Sequence, residues 1–188
     1  MLAIIKRFIW DLRDPTGRFN FSCALWRNFP GLTGEMIRAR YLPGFFAECG
    51  KNILIQEGVR FLNAHNLKIG NNCALGYNNF LQAAGGITLG NGVILGPGVK
   101  IWSVNHSFSD LDTPIPQQAS IKEEIVIDDG CWLASNVFVM PGVRLPEGCV
   151  VSAGSIVAKK EYPPYSILAG SPIRVIGSRK ATEINKHP

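Results

Sequence analysis

Between residues 125 and 158 the chain alternates apolar and polar positions with a period of six. Ile127, Leu133, Val139, Leu145, Val151 and Val157 fall at one phase without a miss. A small or β-branched residue stands two places before each: Ile125, Cys131, Val137, Val143, Cys149 and Ser155. Residues two apart in an extended chain point the same way, so each repeat holds a short strand with two inward side chains. Gly130, Asn136, Gly142, Gly148 and Gly154 occupy another fixed phase. These residue types tolerate a left-handed backbone, which ends each strand in a sharp turn. The pattern predicts an all-β fold, a β-helix in which every rung buries its aliphatic row by stacking on the next.

The same period runs upstream with slips. Ile55 and Phe61 keep the spacing, as do Ile69, Leu75 and Leu81, and then Leu89, Leu95 and Ile101. Two extra residues follow Phe61 and Leu81, and a long interruption follows Ile101. Three hexapeptides and two more residues separate successive slips, so all three are expected to stack on one edge of a triangular prism. The third interruption, W-S-V-N-H-S-F-S-D-L-D-T-P-I-P-Q-Q-A-S-I-K-E-E, is expected to project as a polar loop over residues 107–124, with His106 at its root. A polar loop on a rigid scaffold is where function gathers, which marks His106 as the candidate catalytic residue. His65, in the first slip, reads as a surface histidine, and Asn72 and Asn78 read as turn residues. Asn79 falls at an inward phase where small residues are usual, and the sequence offers no account of it.

Ahead of the repeats, Leu2, Ile5, Phe8, Ile9 and Leu12 form a helical stripe beside Lys6, Arg7 and Arg13. Pro15 and Gly17 are expected to end that helix. The stripe suits packing on the prism or a neighbouring subunit, the commoner outcome for such a helix, and as the alternative a peripheral contact of residues 1–14 with an anionic membrane surface, for which the segment is short. A second helical stretch covers about residues 33–40. The expected division is a helical N-terminal segment over 1–44, the prism over 45–176, and a C-terminal tail or short helix over 177–188, where His187 is read as inert.

At 188 residues the chain fits one domain with an appendage. Of five cysteines, Cys73, Cys131 and Cys149 sit at the inward small-residue phase and are expected to be reduced core residues, as in a cytosolic protein. Neither an apolar run of ~20 residues nor a secretory cleavage pattern stands in the sequence. A cytoplasmic protein, peripheral at most to the inner face of the cell membrane, is expected. The net charge of +5 gathers toward the ends, with Lys159, Lys160, Arg174, Arg179, Lys180 and Lys186 set against Glu161 and Glu183. Such an end suits a phosphorylated small molecule. Nucleic acid is not an expected partner, because the aromatic and basic interleaving of single-strand binders and any groove-reading motif are missing.

Taken together, several stretches resemble the hexapeptide-repeat acyltransferases, the family of maltose, galactoside, nodulation-factor and exopolysaccharide O-acetyltransferases. They are I-G-N-N and L-G-N-G-V-I-L-G-P-G-V-K-I before the histidine, N-H-S-F-S-D at it, D-D-G-C-W-L-A-S-N-V after the loop, and V-V-S-A-G-S-I-V-A-K-K, P-P and A-G-S-P-I-R-V-I at the end. The resemblance covers about residues 45–179 and implies a left-handed parallel β-helix, a winding outside the usual crossover rule. It also implies acetyl-CoA as co-substrate and no metal. His106 falls on the family's catalytic histidine, which takes the proton of an acceptor hydroxyl; an imidazole with its ordinary pKa of ~6.5 suits that task. The backbone N–H of Ser135 falls on the oxyanion donor. Ala134, Ser135 and Ala153 match positions along the pantetheine arm, and Lys159, Lys160, Arg174 and Arg179 match or neighbour the phosphate and adenine end. Asn78, Asn105, Asp110 and Trp132 take the acceptor-side and wall positions. Because the coenzyme lies between two prisms in this family, a homotrimer with three sites is implied.

The acceptor half departs from the family. Gly76 replaces the first of two asparagines, and Ala83 and Ala84 stand where acids often precede the Gly-Gly pair. O-acetylation of a saccharide hydroxyl, in a polysaccharide or cell-envelope glycan precursor, is the expected reaction. N-acetylation of an amino sugar or antibiotic-like acceptor is the enzymatic alternative, and a non-catalytic assembly scaffold is the alternative of another class. The γ-class carbonic anhydrases share the prism but need three histidines around zinc, which His65, His106 and His187 do not supply. Asp110 and Asp112 are either carboxylate partners for His106 or solvated loop acids.

Overall fold

A computed structural model describes residues 1–180 of the chain. After three helices the chain winds through about six turns of a parallel β-helix with three faces. The first face joins Glu48–Cys49, Leu67–Ile69, Ile87–Leu89, Ile125–Ile127 and Arg144–Leu145. The second joins Leu54–Ile55, Ala74–Leu75, Ile94–Leu95, Trp132–Leu133, Val150–Val151 and Ser166–Ala169. The third joins Arg60–Leu62, Phe80–Gln82, Lys100–Trp102, Phe138–Val139 and Ile156–Val157. Register keeps residues of one phase side by side: Ile55 on Leu75, Leu75 on Leu95, Leu95 on Leu133, and Leu133 on Val151. All five are essentially fully buried, each contributing about 1.5–3 kcal/mol by leaving water.

The turn phase is as the spacing predicts. Gly130, Asn136, Gly142, Gly148 and Gly154 all have positive φ, between 59° and 74°, and Asn72 and Asn78 join them at 57° and 58°. The corner between the first and second faces also carries a polar ladder. Asn71 Oδ1 accepts from Lys51 N–H at 2.9 Å, Asn91 Oδ1 from Asn71 N–H at 2.8 Å, and Asp129 Oδ1 from Asn91 N–H at 2.7 Å. These bonds, the Asn91 backbone N–H foremost, hold the Asp129 carboxyl below the ordinary carboxylate range. The five cysteines are free thiols, with Cys73, Cys131 and Cys149 buried inside the coil. Burial pushes the Cys131 thiol up to about 12.

Asn79 is fully buried inside the coil, where Val59, Val99, Val137 and Ser155 hold the matching place in other turns. Its amide donates to the Gly96 carbonyl at 2.7 Å, which explains its acceptance there, while its Oδ1 has no partner among the described residues.

The N-terminal segment departs from expectation. Helix α1 (Leu2–Arg13) is followed at once by α2 (Pro15–Trp26), and α3 spans Gly31–Tyr41. The first helix ends before Pro15 as expected, but Pro15 also opens a second: it lies in the first turn, where a missing N–H is harmless, and Asp14 caps that turn by accepting from Gly17 N–H at 2.8 Å. Gly17 is needed for close approach, since a Cβ there would meet the Asp11 carbonyl oxygen of α1 at 2.1 Å. From α2, Phe19 packs on Phe45 and Phe61 with ring centroids 5.2 and 6.3 Å away, closing the open end of the first coil. Arg38 of α3 is buried and acts as a clamp. It donates to Ile55 O of the second face at 2.8 Å, to Trp26 O at 3.1 Å and to Phe29 O at 2.7 Å. Burial lowers its pKa, with Glu35 and Glu57 opposing.

At the other end, Arg174–Ser178 turns back antiparallel to Ser166–Ala169. Strand therefore runs through residues 177 and 178, which the sequence reading assigns to a tail. Residues 181–188, including the expected helix, Glu183, Lys186 and His187, lie outside the described residues.

Removing the Arg38 guanidinium strands the Ile55 and Phe29 carbonyls, while Trp26 O keeps the Phe29 N–H at 3.2 Å, so Arg38→Met is expected to lower stability by about 3 kcal/mol, read from the shift of a denaturant unfolding curve. The Cys131 thiol should alkylate with iodoacetamide at mildly alkaline pH only after unfolding, because a group titrating near 12 holds almost no thiolate there.

Candidate active site

All three interruptions stack on the corner between the third and first faces. Ala83 N–H donates to Leu62 O at 2.9 Å and Ser103 N–H to Gln82 O at 3.0 Å, one above the other. Ser103 is buried, its hydroxyl giving a 2.7 Å bond to Gln82 O and taking one of 2.9 Å from Gly85 N–H. That pair of bonds roots the longest interruption. Its base is not an open loop but a two-stranded antiparallel ribbon, Val104–His106 with Ser120–Lys122, in which His106 stands opposite Ser120. Farther out, Gln118 ties the arm together by donating to the carbonyls of Asp110 and Thr113, each at 2.7 Å.

His106 is exposed on this ribbon. Asn105, beside it, accepts the His106 backbone N–H at 3.0 Å and so steadies the main chain. Among the described residues neither Asp110 nor Asp112 pairs with the imidazole. The Asp110 carboxyl is engaged locally: the Thr113 hydroxyl and then the Asp112 N–H, at 3.0 Å, hold it below its ordinary range.

Ala134, Ser135 and Ala153 gather at a different corner, between the second and third faces. Gly154 N–H donates to Ser135 O at 2.9 Å, and Ala134 N–H to Val151 O at 2.9 Å. The Ser135 and Ala153 N–H groups give no hydrogen bond among the described residues. The rung below is kept flush by Gly96, where a Cβ would stand 2.9 Å from Ser135 N. Trp132 projects outward from the second face between Ile94 and Val150, 48% exposed. Asn78 occupies the same corner two turns below Asn136, and its side chain lies over Gly58, whose Cβ position is 2.0 Å from Asn78 Oδ1. The structure thus separates His106 from Ser135 and Asn78 by the width of the third face.

The basic residues also divide. Lys159 returns to the His106 corner, where it pairs with Glu123 at 2.5 Å. With Lys160, Arg144 and Tyr162 it lines a cleft of about 520 Å³. Lys160 donates to Ile173 O at 2.9 Å and lies over the Tyr162 ring. Arg174 is exposed on the last strand, and Arg179 reaches the remaining corner, donating to Gly148 O at 2.7 Å.

The sequence reading passed over two clefts on the His106 edge. One, of about 610 Å³, lies between the start of α2 and the first slip and is lined by Asp14, Arg18, Asn20, Asn63 and His65 among others. The second, of about 350 Å³, is lined by His65, Lys68, Thr88 and Glu124 with the Gly85–Gly86 backbone. His65 is exposed, as expected, yet it is shared by both walls. The stacking of the slips was the signal that placed it on this edge.

The fold is a solenoid of repeated hexapeptide rungs, interrupted at one corner by a histidine-bearing ribbon. A family pattern described as hexapeptide repeat of succinyl-transferase matches residues 66–102 and 124–159. Galactoside O-acetyltransferase of Escherichia coli is 30% identical over 155 residues, covering 80% of this chain and 71% of that protein. The putative colanic acid biosynthesis acetyltransferase WcaF of the same species is 33% identical over 146 residues, covering 78% and 77%. The crystal structure of a hexapeptide-repeat acetyltransferase of Vibrio cholerae with acetyl coenzyme A superposes with a TM-score of 0.75 at 25% identity, over 90% of this chain and 88% of that one. The chain belongs to the hexapeptide-repeat acetyltransferases.

The position of Asn78 over Gly58 assigns it to backbone geometry. Asn78→Gly is expected to keep kcat and KM within about twofold, whereas Asn78→Ala should lose about 1 kcal/mol of stability, because alanine keeps the Cβ at a φ of 58° but lacks the polar side chain that lets asparagine tolerate the left-handed region; steady-state kinetics and denaturant unfolding check the pair.

Proposed function

We propose that this acetyltransferase moves the acetyl group of acetyl-CoA to a hydroxyl of a saccharide, a precursor of a polysaccharide or cell-envelope glycan, with His106 as general base. The observation that carries the reading is His106 itself, exposed at the root of a ribbon pinned by buried Ser103, with its imidazole left unpaired among the described residues. The donor is acetyl-CoA, which the Vibrio cholerae relative binds. Small residues at Ala134, Ser135 and Ala153 let an extended pantetheine arm approach free backbone donors, and the cleft with Lys159 and Lys160 offers cations to its phosphates.

In the reaction the His106 imidazole takes the proton of the acceptor hydroxyl while that oxygen attacks the thioester carbonyl. Negative charge builds on the carbonyl oxygen, where a fixed N–H is worth most. Ser135 of the partner subunit supplies it, because within one chain the third face stands between the two groups. Collapse expels the coenzyme thiolate, which recovers the proton from the imidazolium. Parallel prisms arranged as a homotrimer give three such sites, each built by two copies. The acceptor occupies the clefts that share His65, where Asn20, Asn63 and Glu124 present the donors and acceptors a sugar requires and Phe45, Phe46 and Leu62 offer apolar surface to its ring faces. The names of the two Escherichia coli relatives support a glycan acceptor.

Calorimetry with acetyl-CoA and turnover on a panel of hydroxylated and amino sugars test the reading. His106→Ala is expected to bind acetyl-CoA as the wild type does while kcat falls about 10²–10⁴-fold. Wild-type protein that fails to bind acetyl-CoA, or a His106→Ala enzyme with undiminished turnover, removes this function.

A further inference from the structure

No residue of helix α1 is fully buried: Ile5, Phe8, Ile9 and Leu12 remain 41–49% exposed, and Leu2 76%. The helix has one extensive neighbour among the described residues, α2, which it meets through an edge-to-face contact of Phe8 with Phe21 at 5.6 Å. At 3.6 residues per turn Leu2, Ile5, Phe8, Ile9 and Leu12 share one arc of about 120°. Lys6 and Arg13 border that arc directly, and Asp11 lies on the other side of the helix. Helix α2 continues the surface. Phe21 and Leu25 are exposed one turn apart, Arg18 lies on the same stripe, and Phe19 faces the opposite way into the core. Across both helices five cations, Lys6, Arg7, Arg13, Arg18 and Arg27, oppose Asp11 and Asp14.

We propose that the α1–α2 hairpin docks this protein on an anionic lipid surface, the apolar arc entering the interfacial zone and the bordering cations meeting lipid phosphates. An aliphatic and aromatic stripe with Lys and Arg at its margin is the pattern of a helix lying in the membrane plane, since long cationic side chains extend to the headgroups while their stems cover apolar surface. The helix lies on the surface rather than through it: 12 residues reach only about 18 Å, and no described helix is long and apolar enough to cross. A second copy of the chain suits the surface less, because two identical basic hairpins would bring like charges together, whereas lipid phosphates carry the complementary charge.

Co-sedimentation of the full chain with vesicles of phosphatidylcholine alone, or mixed with phosphatidylglycerol, tests the docking. Wild-type protein is expected to sediment with the mixed vesicles and to be released by salt. Ile5→Asp with Ile9→Asp, and separately Lys6→Glu with Arg13→Glu, should each weaken binding at least about tenfold. Neither pair touches a buried residue, and circular dichroism with thermal melting verifies that both variants fold. The proposal is overturned if wild-type protein ignores the mixed vesicles or the variants bind them equally well. It is overturned also if Ile5→Asp with Ile9→Asp changes the oligomeric state in analytical ultracentrifugation without lipid, which would assign the arc to a second copy.

Discussion

Every coil of this protein is half a core. Its aliphatic row is buried only because a matching row lies above and below, as Leu95 lies between Leu75 and Leu133. From that dependence come the two features that flank the prism. The first coil has no predecessor, so Phe19, Phe45, Phe46 and Leu42 cover it, and Arg38 fastens the cover by three hydrogen bonds to backbone carbonyls. The last coil has no successor, and the Ser166–Ala169 and Arg174–Ser178 hairpin follows it. A guanidinium suits the clamp because its fork reaches separated acceptors at once.

Stacking also decides where chemistry is placed. Strand positions on the faces are committed to register, so variation is tolerated chiefly at corners, where an inserted residue leaves the ladder intact. The same slip in successive coils builds an edge rather than scattered loops, and that edge holds His65, His106 and the two clefts. The opposite need, a smooth corner with free N–H groups, is met where Gly96, Ala134, Ser135 and Ala153 keep side chains small.

Much of the architecture was legible because a period of six leaves little freedom: inward rows, turn residues, buried cysteines and the stacking of the slips all follow from counting. Legibility fell where one residue type serves two ends of an element. Pro15 was read as the stop of the first helix, which does end at Arg13, but the same proline also starts a second helix, whose signal was the Asp14 cap. Asn79 broke the inward rule because its amide finds Gly96 O on the neighbouring rung, a partner set by register. Arg38 reads in sequence as one more cation on a polar helix; only the fold shows three carbonyls converging on it. Cation identity was likewise readable at Lys159, whereas its pairing with Glu123 depends on where the arm rejoins the coil.

The division of the site among corners is the clearest consequence of a triangular cross-section. Sequence motifs run in one dimension and present His106, Ser135 and Lys159 as parts of a single constellation, but a coil turns about 120° at each corner and carries them to different sides. His106 and Lys159 share an edge because both follow strands of the third face; Ser135 precedes that face and so cannot join them. A prism gains a two-sided groove by meeting another prism, and the proposed roles of His106 and Ser135 require such a meeting. The long arm bears exposed Phe108, Leu111 and Ile115 away from its own coil, and clustered exposed apolar side chains of this kind mark an interaction surface rather than a solvated loop.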